Sequence, residues 1–364
     1  MTKVYIIAEA GVNHNGSLEV AKRLVEKAAE AGADAVKFQT FFAKNLATSS
    51  APKADYQKKA TGDTGSQFEM LRCLELSKDA HLLLKAHALE YGIEFLSTPF
   101  GLEELDFLVH EVGVRALKMS SGEITNGPLL LSAARAGLPI ILSTGMSNLQ
   151  EITDALSVLA FGYTMGPAGT PSQSKLADAF HSEEGVRALR EKVTILHCTT
   201  QYPTPLKDVN LRAMDTLVDN FGLQVGYSDH TEGIVTSVAA AARGACVLEK
   251  HFTLDCCMEG PDHAASIEPD DLGELVASVR DVEKLLGTAD KGVGQQEAAN
   301  LVIARKSLVA AKEIAAGEYF TMENLRAKRP GGGISPMAIW DVLGQKALRD
   351  YETDDQISIE TIGA

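Results

Sequence analysis

Eight short, largely β-branched apolar runs, separated by longer Ala- and Leu-rich stretches of helical period, constrain this chain more than any other feature. They are Val4–Ala8, Ala35–Phe38, Ile93–Leu96, Ala116–Met119, Pro139–Leu142, Val193–Leu196, Gln224–Gly226 and Cys246–Leu248. Such alternation is the pattern of repeated strand–helix units around a parallel sheet. With the first run starting at Val4 and the last at Cys246, each unit takes roughly 35 residues, which suits a (β/α)8 barrel of about 250 residues. An open doubly wound sheet is the competing architecture. Against it, the segment Glu9–Gly16 after the first run has no G-x-G-x-x-G register, so the dinucleotide fingerprint is missing. Helices are expected over Ser17–Ala31, Ser77–Tyr91, Leu149–Leu159 and Asp271–Leu286, with Ser17 and Ser77 as simple entry caps.

Two units are long. Phe41–Leu76, which includes Ala60–Ser66, follows the second strand and so belongs to the catalytic face of a barrel, either as a lid or as a solvated insertion. Gly162–Arg190 precedes the sixth strand and falls on the opposite face, where it bears on stability or assembly. A polar, glycine-rich boundary follows near Gly287. The expected division is a catalytic domain over residues 1–287, a linker over 288–304 and a small domain over 305–364. The last reads as short strands and turns, with a helix candidate at Ser335–Leu343 carrying the only tryptophan, Trp340. A domain of that size is marginally stable alone and gains by docking on a larger surface.

Composition narrows the function. Among 364 residues, 34 Lys and Arg stand against 49 Asp and Glu, and a net charge of −15 repels nucleic acid and anionic lipid surfaces. No apolar stretch is long enough to span a membrane, and the opening apolar run is too short for a secretory signal, so a cytoplasmic address is expected. Five cysteines, Cys73, Cys198, Cys246, Cys256 and Cys257, have no paired spacing and read as free thiols, mostly in the core.

Every apolar run ends in a polar cluster, at the place where barrel enzymes keep their active-site groups. Lys37 and Lys118 supply positive charge, while Thr98, Ser121, Ser143, Thr200 and Ser228 supply hydroxyls, a set suited to phosphate and carboxylate. A small phosphorylated acid fits that ring. His230 and His251 end the seventh and eighth strands, neighbours in a closed barrel, and suit a partly hydrated Mn²⁺, Co²⁺ or Mg²⁺. His14 and His197 are read as structural. Glu9, Glu123 and Glu249 lie at the same rim, placed to orient a hydroxylated substrate or move a proton.

In order, these clusters resemble the bacterial sialic acid synthase family, which joins phosphoenolpyruvate to N-acylated mannosamine-type sugars. The resemblance covers nearly the whole chain, from Glu9–Ser17 and Val36–Thr40 through Leu96–Phe100, Lys118–Glu123, Leu142–Met146 and Leu196–Thr199. It continues in Tyr202–Pro205, Gly226–Thr231, Leu248–Thr253, Gly260–Asp262 and Lys328–Gly331. It implies a TIM barrel followed by a small antifreeze-like (SAF) domain, in a homodimer whose small domains each cover the partner's barrel mouth. By the same resemblance Lys37, Thr98, Lys118, Ser121, Ser143 and Ser228 hold phosphoenolpyruvate, and His230 and His251 hold the divalent metal, Mn²⁺ foremost. Gln39, Tyr202, Asp262 and, across the dimer, Arg329 contact the sugar. Thr200, followed by Gln201, replaces an Asn common in N-acetylneuraminate members. With Pro261–Ser266 it leans toward the legionaminate-type branch, whose acceptor is a 6-deoxy sugar with a second acetamido group.

The chemistry expected of such a site is attack by carbon 3 of phosphoenolpyruvate on a metal-polarised sugar aldehyde. A carboxylate, Glu123 in the first place, meets the charge developing at carbon 2 before phosphate leaves by C–O cleavage. A Schiff-base aldolase using Lys118 or Lys37 is the alternative enzyme, and a tail that binds or meets ice by itself is the alternative outside catalysis.

Overall fold

The structure is a computed structural model and describes residues 3–54, 57–58, 65–166 and 169–363. Much of the stretch Ala60–Ser66 and the pair Pro167–Ala168 of the long units therefore lie outside the described residues. The chain divides into two compact units, Met1–Gly287 and Thr288–Ala364.

In the first unit the eight runs become parallel strands: β1 (Tyr5–Gly11), β2 (Ala35–Thr40), β3 (Glu94–Pro99), β4 (Leu117–Met119), β5 (Ile140–Ser143), β6 (Val193–His197), β7 (Gln224–Asp229) and β8 (Val247–His251). They pair in the order β3-β2-β1-β8-β7-β6-β5-β4. Strand β1 joins β8, so the sheet wraps round into a nearly closed barrel whose seam, between β3 and β4, carries no ladder pairing among the described residues. Helices expected at Ser17, Ser77, Leu149 and Asp271 form over Leu18–Glu30, Lys78–Glu90, Leu149–Met165 and Pro269–Leu286. The side chains of Ser17 and Ser77 accept from the backbone N–H of Val20 and Ala80, as the capping reading requires.

Strand periodicity then sorts side chains into two cores. Ile7, Ala35, Leu96, Ile141, Leu196 and Val247 form one cluster inside the barrel. Their neighbours along each strand point outward and pack beneath the helices, as with Ile6, Val36 and Leu248. Gly226 sits where the interior is tight: a Cβ there would meet the Val247 carbonyl oxygen at 2.4 Å and Leu196 Cδ2 at 2.6 Å. Gly226→Ala is therefore expected to overpack the barrel and cost about 1–3 kcal/mol, measured as a lower urea midpoint at unchanged slope.

The segment Gly162–Arg190 is largely helical, with Gln173–His181 and Glu183–Lys192 following the long helix Leu149–Met165. The cysteines are all free, but only Cys198 is buried; Cys246 and Cys256 are half-buried, and Cys73 and Cys257 are exposed. The expectation of mostly core thiols is corrected accordingly. Among the described residues no helix is long and apolar enough to cross a membrane.

The second unit has its own core, built from Leu308, Ala310, Ile314, Phe320, Leu325, Val342, Ala347, Tyr351 and Ile357. Its strands β9 (Ser307–Ala310) and β10 (Leu325–Lys328) pair antiparallel. Residues 288–304, read as a linker, include the helix Gln295–Ala304. The helix candidate at Ser335–Leu343 resolves into a 3₁₀ turn, Pro336–Ala338, and one helical turn, Ile339–Val342, with Trp340 exposed.

Candidate active site

Two residues beyond five of the six inward apolar side chains, the strands turn from apolar to polar on the same interior face. Ile7 is followed by Glu9, Ala35 by Lys37, Leu96 by Thr98, Ile141 by Ser143 and Val247 by Glu249. These residues line one cavity of about 440 Å³ at the carboxyl ends of the strands. Gln39, Lys118, Ser121, Thr200, Tyr202, Ser228, His230, His251 and Asp262 line it as well.

The base of the cavity is a buried network of opposite charges. Lys37 Nζ lies 2.7 Å from Glu9 Oε2 and 3.5 Å from Glu249 Oε2, and it donates to Thr98 Oγ1 at 3.0 Å. Lys118 Nζ donates to Ser143 Oγ at 2.7 Å and lies 3.5 Å from Glu249 Oε1. Ser228 donates to Glu249 Oε1 at 3.0 Å, and Gln39 Nε2 donates to Glu9 Oε1 at 3.3 Å. Two lysines and two glutamates balance, which is how four ionisable groups at most 3% to 6% exposed tolerate a dry environment.

The two carboxyls are nevertheless driven apart. Burial, reinforced by the charge of Glu249 and only partly offset by Lys37, raises the Glu9 carboxyl to about 7. Burial also acts upward on Glu249, but Lys118, Lys37 and the Ser228 hydroxyl outweigh it and hold this carboxyl down at about 2. Lys37, desolvated yet flanked by both glutamates, is raised; Lys118, where burial dominates, is lowered. Paired groups whose environments separate their proton affinities are the usual basis of an acid and a base in one site.

Beside this network the imidazoles of His230 and His251 face each other with ring centres 5.5 Å apart. Burial lowers both, His251 further because His230 lies beside it, so both rings are neutral at pH 7. His230 Nδ1 donates to the Thr199 carbonyl at 2.7 Å, which makes Nε2, 3.4 Å from Ser228 Oγ, the unprotonated nitrogen that can turn its lone pair to a ligand. His251 Nδ1 is buried without a hydrogen-bond partner. Tyr202 packs on both rings, at 4.2 Å from His230 and edge-on at 5.5 Å from His251. No cluster of three or more His, Cys, Asp or Glu ligands occurs among the described residues. Two neutral imidazoles, one orphaned and one oriented from behind, fit a divalent cation that completes its shell with water or substrate.

One expected residue of the barrel unit, Glu123, does not line this cavity. Glu123 ends the 3₁₀ turn Ser121–Glu123 and accepts from Asn126 Nδ2 at 2.7 Å, while Asn126 caps the helix Gly127–Arg135. The Glu123 carboxylate thus bonds the residue that starts that helix, whereas Glu249 lines the cavity. Arg329 is exposed in the second unit, with Nε donating to the Ala304 carbonyl at 3.0 Å. Of the two histidines read as structural, His14 is fully buried and lines no part of the cavity, and His197 Nε2 bonds the Val209 carbonyl at 2.8 Å. Sequence reasoning missed the apolar lining, to which Val12, Leu46, Met70, Leu71, Leu74 and Phe100 contribute.

Burial holds His14 down at about 3, and burial also lowers His81, His197, His230 and His251. An imidazole neutral in the fold but protonated when unfolded contributes stability above pH 6.5 that is lost as pH falls toward its depressed value. Asp262, raised by burial to about 6, and Glu9 act in the opposite direction. The histidines outnumber them, so the urea midpoint should fall between pH 7 and pH 5, with His14 alone accounting for about 2 kcal/mol. A His14→Gln variant should show the shallower pH slope.

A model of the NeuB family matches residues 24–291, and a model of the SAF domain matches residues 305–362. The chain is 49% identical to N,N'-diacetyllegionaminic acid synthase of Campylobacter jejuni, over 98% of this chain and 99% of that one. It is 44% identical to N,N'-diacetyllegionaminic acid synthase of Legionella pneumophila, over 99% of this chain and 95% of that one. Among solved structures, N-acetylneuraminic acid (sialic acid) synthetase from Leptospira borgpetersenii in complex with citrate is 32% identical. It aligns with a TM-score of 0.66 over 82% of this chain and 90% of that one.

Proposed function

The chain belongs to the NeuB family, and on that premise we propose that it condenses phosphoenolpyruvate with an N-acylated mannosamine-type sugar. The acceptor is 2,4-diacetamido-2,4,6-trideoxymannose or N-acetylmannosamine, and the products are N,N'-diacetyllegionaminate or N-acetylneuraminate with phosphate. The observation that carries this reading is the balanced Lys37, Lys118, Glu9 and Glu249 network beside two neutral imidazoles in one cavity.

Lys118 and Lys37, with Thr98, Ser121, Ser143 and Ser228, bind and orient the anionic enol ester. His230 and His251 would hold the divalent cation, which when bound supplies Lewis-acid polarisation of the sugar carbonyl. The new bond joins carbon 3 of phosphoenolpyruvate to the aldehyde carbon, whose oxygen takes a proton. Glu9, with its raised proton affinity, is suited to deliver that proton. Glu249, anionic at rest, faces the positive charge developing at carbon 2, and the proton it takes from the water that adds there passes to the departing phosphate. The C–O bond to phosphate then breaks and leaves the keto acid. Gln39, Tyr202 and Asp262 hold the sugar, joined in a homodimer by Arg329 of the partner subunit.

The test is phosphate release from phosphoenolpyruvate with either acceptor, with and without Mn²⁺. Activity that needs an acceptor and is lost on chelation is expected, with ¹⁸O from the bridging position leaving in phosphate. The lowered Lys118 also suits a Schiff-base aldolase. Borohydride-trapped adduct on a lysine, or label retained in the sugar acid, would establish that alternative instead.

A further inference from the structure

Ser120 takes no part in the steps above, yet it lines the same cavity. Along the β4 wall the inward positions run Ala116, Lys118, Ser120, so Ser120 stands one step nearer the mouth than the lysine. It sits just before the 3₁₀ turn Ser121–Glu123 in the extended conformation of a cap, and its carbonyl accepts from the Glu123 N–H at 3.0 Å. A serine so placed ordinarily turns its hydroxyl back onto the turn. This one makes no cap bond, and its Oγ is buried with no hydrogen-bond partner among the described residues. A Cβ added at Gly122, which also lines the cavity, would face that oxygen at 3.8 Å, so the neighbour over the hydroxyl has no side chain to cover it. Ser121, by contrast, accepts from the Gly145 N–H at 3.0 Å and meets the Cys198 thiol at 3.2 Å.

A buried hydroxyl without a bond destabilises the free protein, and a ligand that brings an acceptor removes that cost. The surrounding charge selects the acceptor. Lys37 lies within 3.5 Å of both Glu9 and Glu249. Lys118 lies 3.5 Å from Glu249 and donates to Ser143, whose own O–H stays free for a further acceptor. Positive charge is therefore less neutralised on the β4–β5 side. Of the two anionic ends of phosphoenolpyruvate, the phosphate carries the larger charge and the more oxygens, so it belongs on that side.

We propose that Ser120 donates a hydrogen bond to the phosphate of phosphoenolpyruvate, beside Lys118 and Ser143, and keeps it as the phosphate departs. The inference rests on the condensation reading above and adds to it a phosphate-binding residue that the free protein holds unbonded. As the C–O bond breaks, charge on the phosphate rises, and a donor already stripped of water acts more strongly on the leaving group than on the bound ester.

The experiment is titration calorimetry on the full chain, with phosphoenolpyruvate added directly and inorganic phosphate and pyruvate read by their displacement of it. Ser120→Ala should weaken phosphoenolpyruvate and inorganic phosphate by about tenfold each and pyruvate by less than about twofold, as expected for one charge-assisted hydrogen bond. Its urea midpoint should equal or exceed that of wild type, because alanine removes an unsatisfied group, whereas loss of a working cap would lower it. The assignment is overturned by a loss of phosphate affinity below about fivefold, by a pyruvate loss as large as the phosphate loss, or by a lower midpoint with all three affinities unchanged. Phosphate release by the wild type with each acceptor reports on condensation separately. If phosphoenolpyruvate binds but no phosphate is released, the condensation reading falls and calorimetry still decides the role of Ser120. If phosphoenolpyruvate does not bind, both fall.

Discussion

Lys118→Met should lower kcat/KM for phosphoenolpyruvate by about 10²- to 10³-fold, with the acceptor KM changing far less. Methionine keeps the length and apolar stem of the side chain but removes a cation that is 3% exposed and hydrogen-bonded to Ser143 at 2.7 Å. The reacting enol ester then loses a fixed positive charge in a water-excluded site, where such a charge acts most strongly. Stability should suffer less than activity. Without Lys118 the base of the cavity has one lysine against two glutamates. Glu9, already raised to about 7, can take up a proton and restore the balance. A melting temperature within a few degrees of wild type alongside the large kinetic loss is the expected pairing, measured by thermal unfolding and phosphate release on the same preparation. A loss below about tenfold would mean that the phosphate of the substrate is anchored elsewhere.

The lysines were legible in the sequence because a strand has a strict period. Once Ala35 and Ala116 are inward, Lys37 and Lys118 must be inward too, one step closer to the mouth. The same rule places Glu9, Ser228 and Glu249, and the pairing of Glu9 with both Lys37 and His251 across neighbouring strands brings them together. Glu123 escaped the rule because it lies beyond β4, in a 3₁₀ turn where no strand period applies and where Asn126 competes for its carboxylate. The apolar lining escaped for a different reason. Leu46 and Leu71 are far apart in sequence, in a segment without strand or long-helix period, and only the folded insertion juxtaposes them. The thiols likewise carried no positional signal, since cysteine is equally at home in a core and on a loop.

The period of two also predicts what lies on the other side of the wall. Between inward Glu249 and His251, Lys250 must point outward, and Asp229, one residue past Ser228, must do the same; the two are register partners on β8 and β7. They form an ion pair at 3.1 Å with side chains 1% and 0% exposed. Asp229 also accepts from the Thr231 backbone N–H at 2.8 Å and from Ser237 Oγ at 2.6 Å, and Lys250 donates to the Thr231 carbonyl. This pair supports the backbone that carries His230 and His251, without reaching the cavity itself. Asp229→Ala leaves Lys250 buried and unpaired, so a loss of about 3–5 kcal/mol is expected. In a unit of this size that is a fall of about 10 °C in melting temperature. Burial already lowers Lys250, and without Asp229 it is lowered further. A lysine depressed in the fold binds fewer protons there than in the unfolded chain, so the variant gains stability as pH rises. Its deficit should therefore be larger at pH 6 than at pH 9. Adding Lys250→Met removes the stranded charge and should recover at least about half of the loss, read from urea midpoints of the two single variants and the double. A double variant no more stable than Asp229→Ala alone would show that the hydrogen bonds to Thr231 and Ser237, and not the ion pair, hold the strand ends in place.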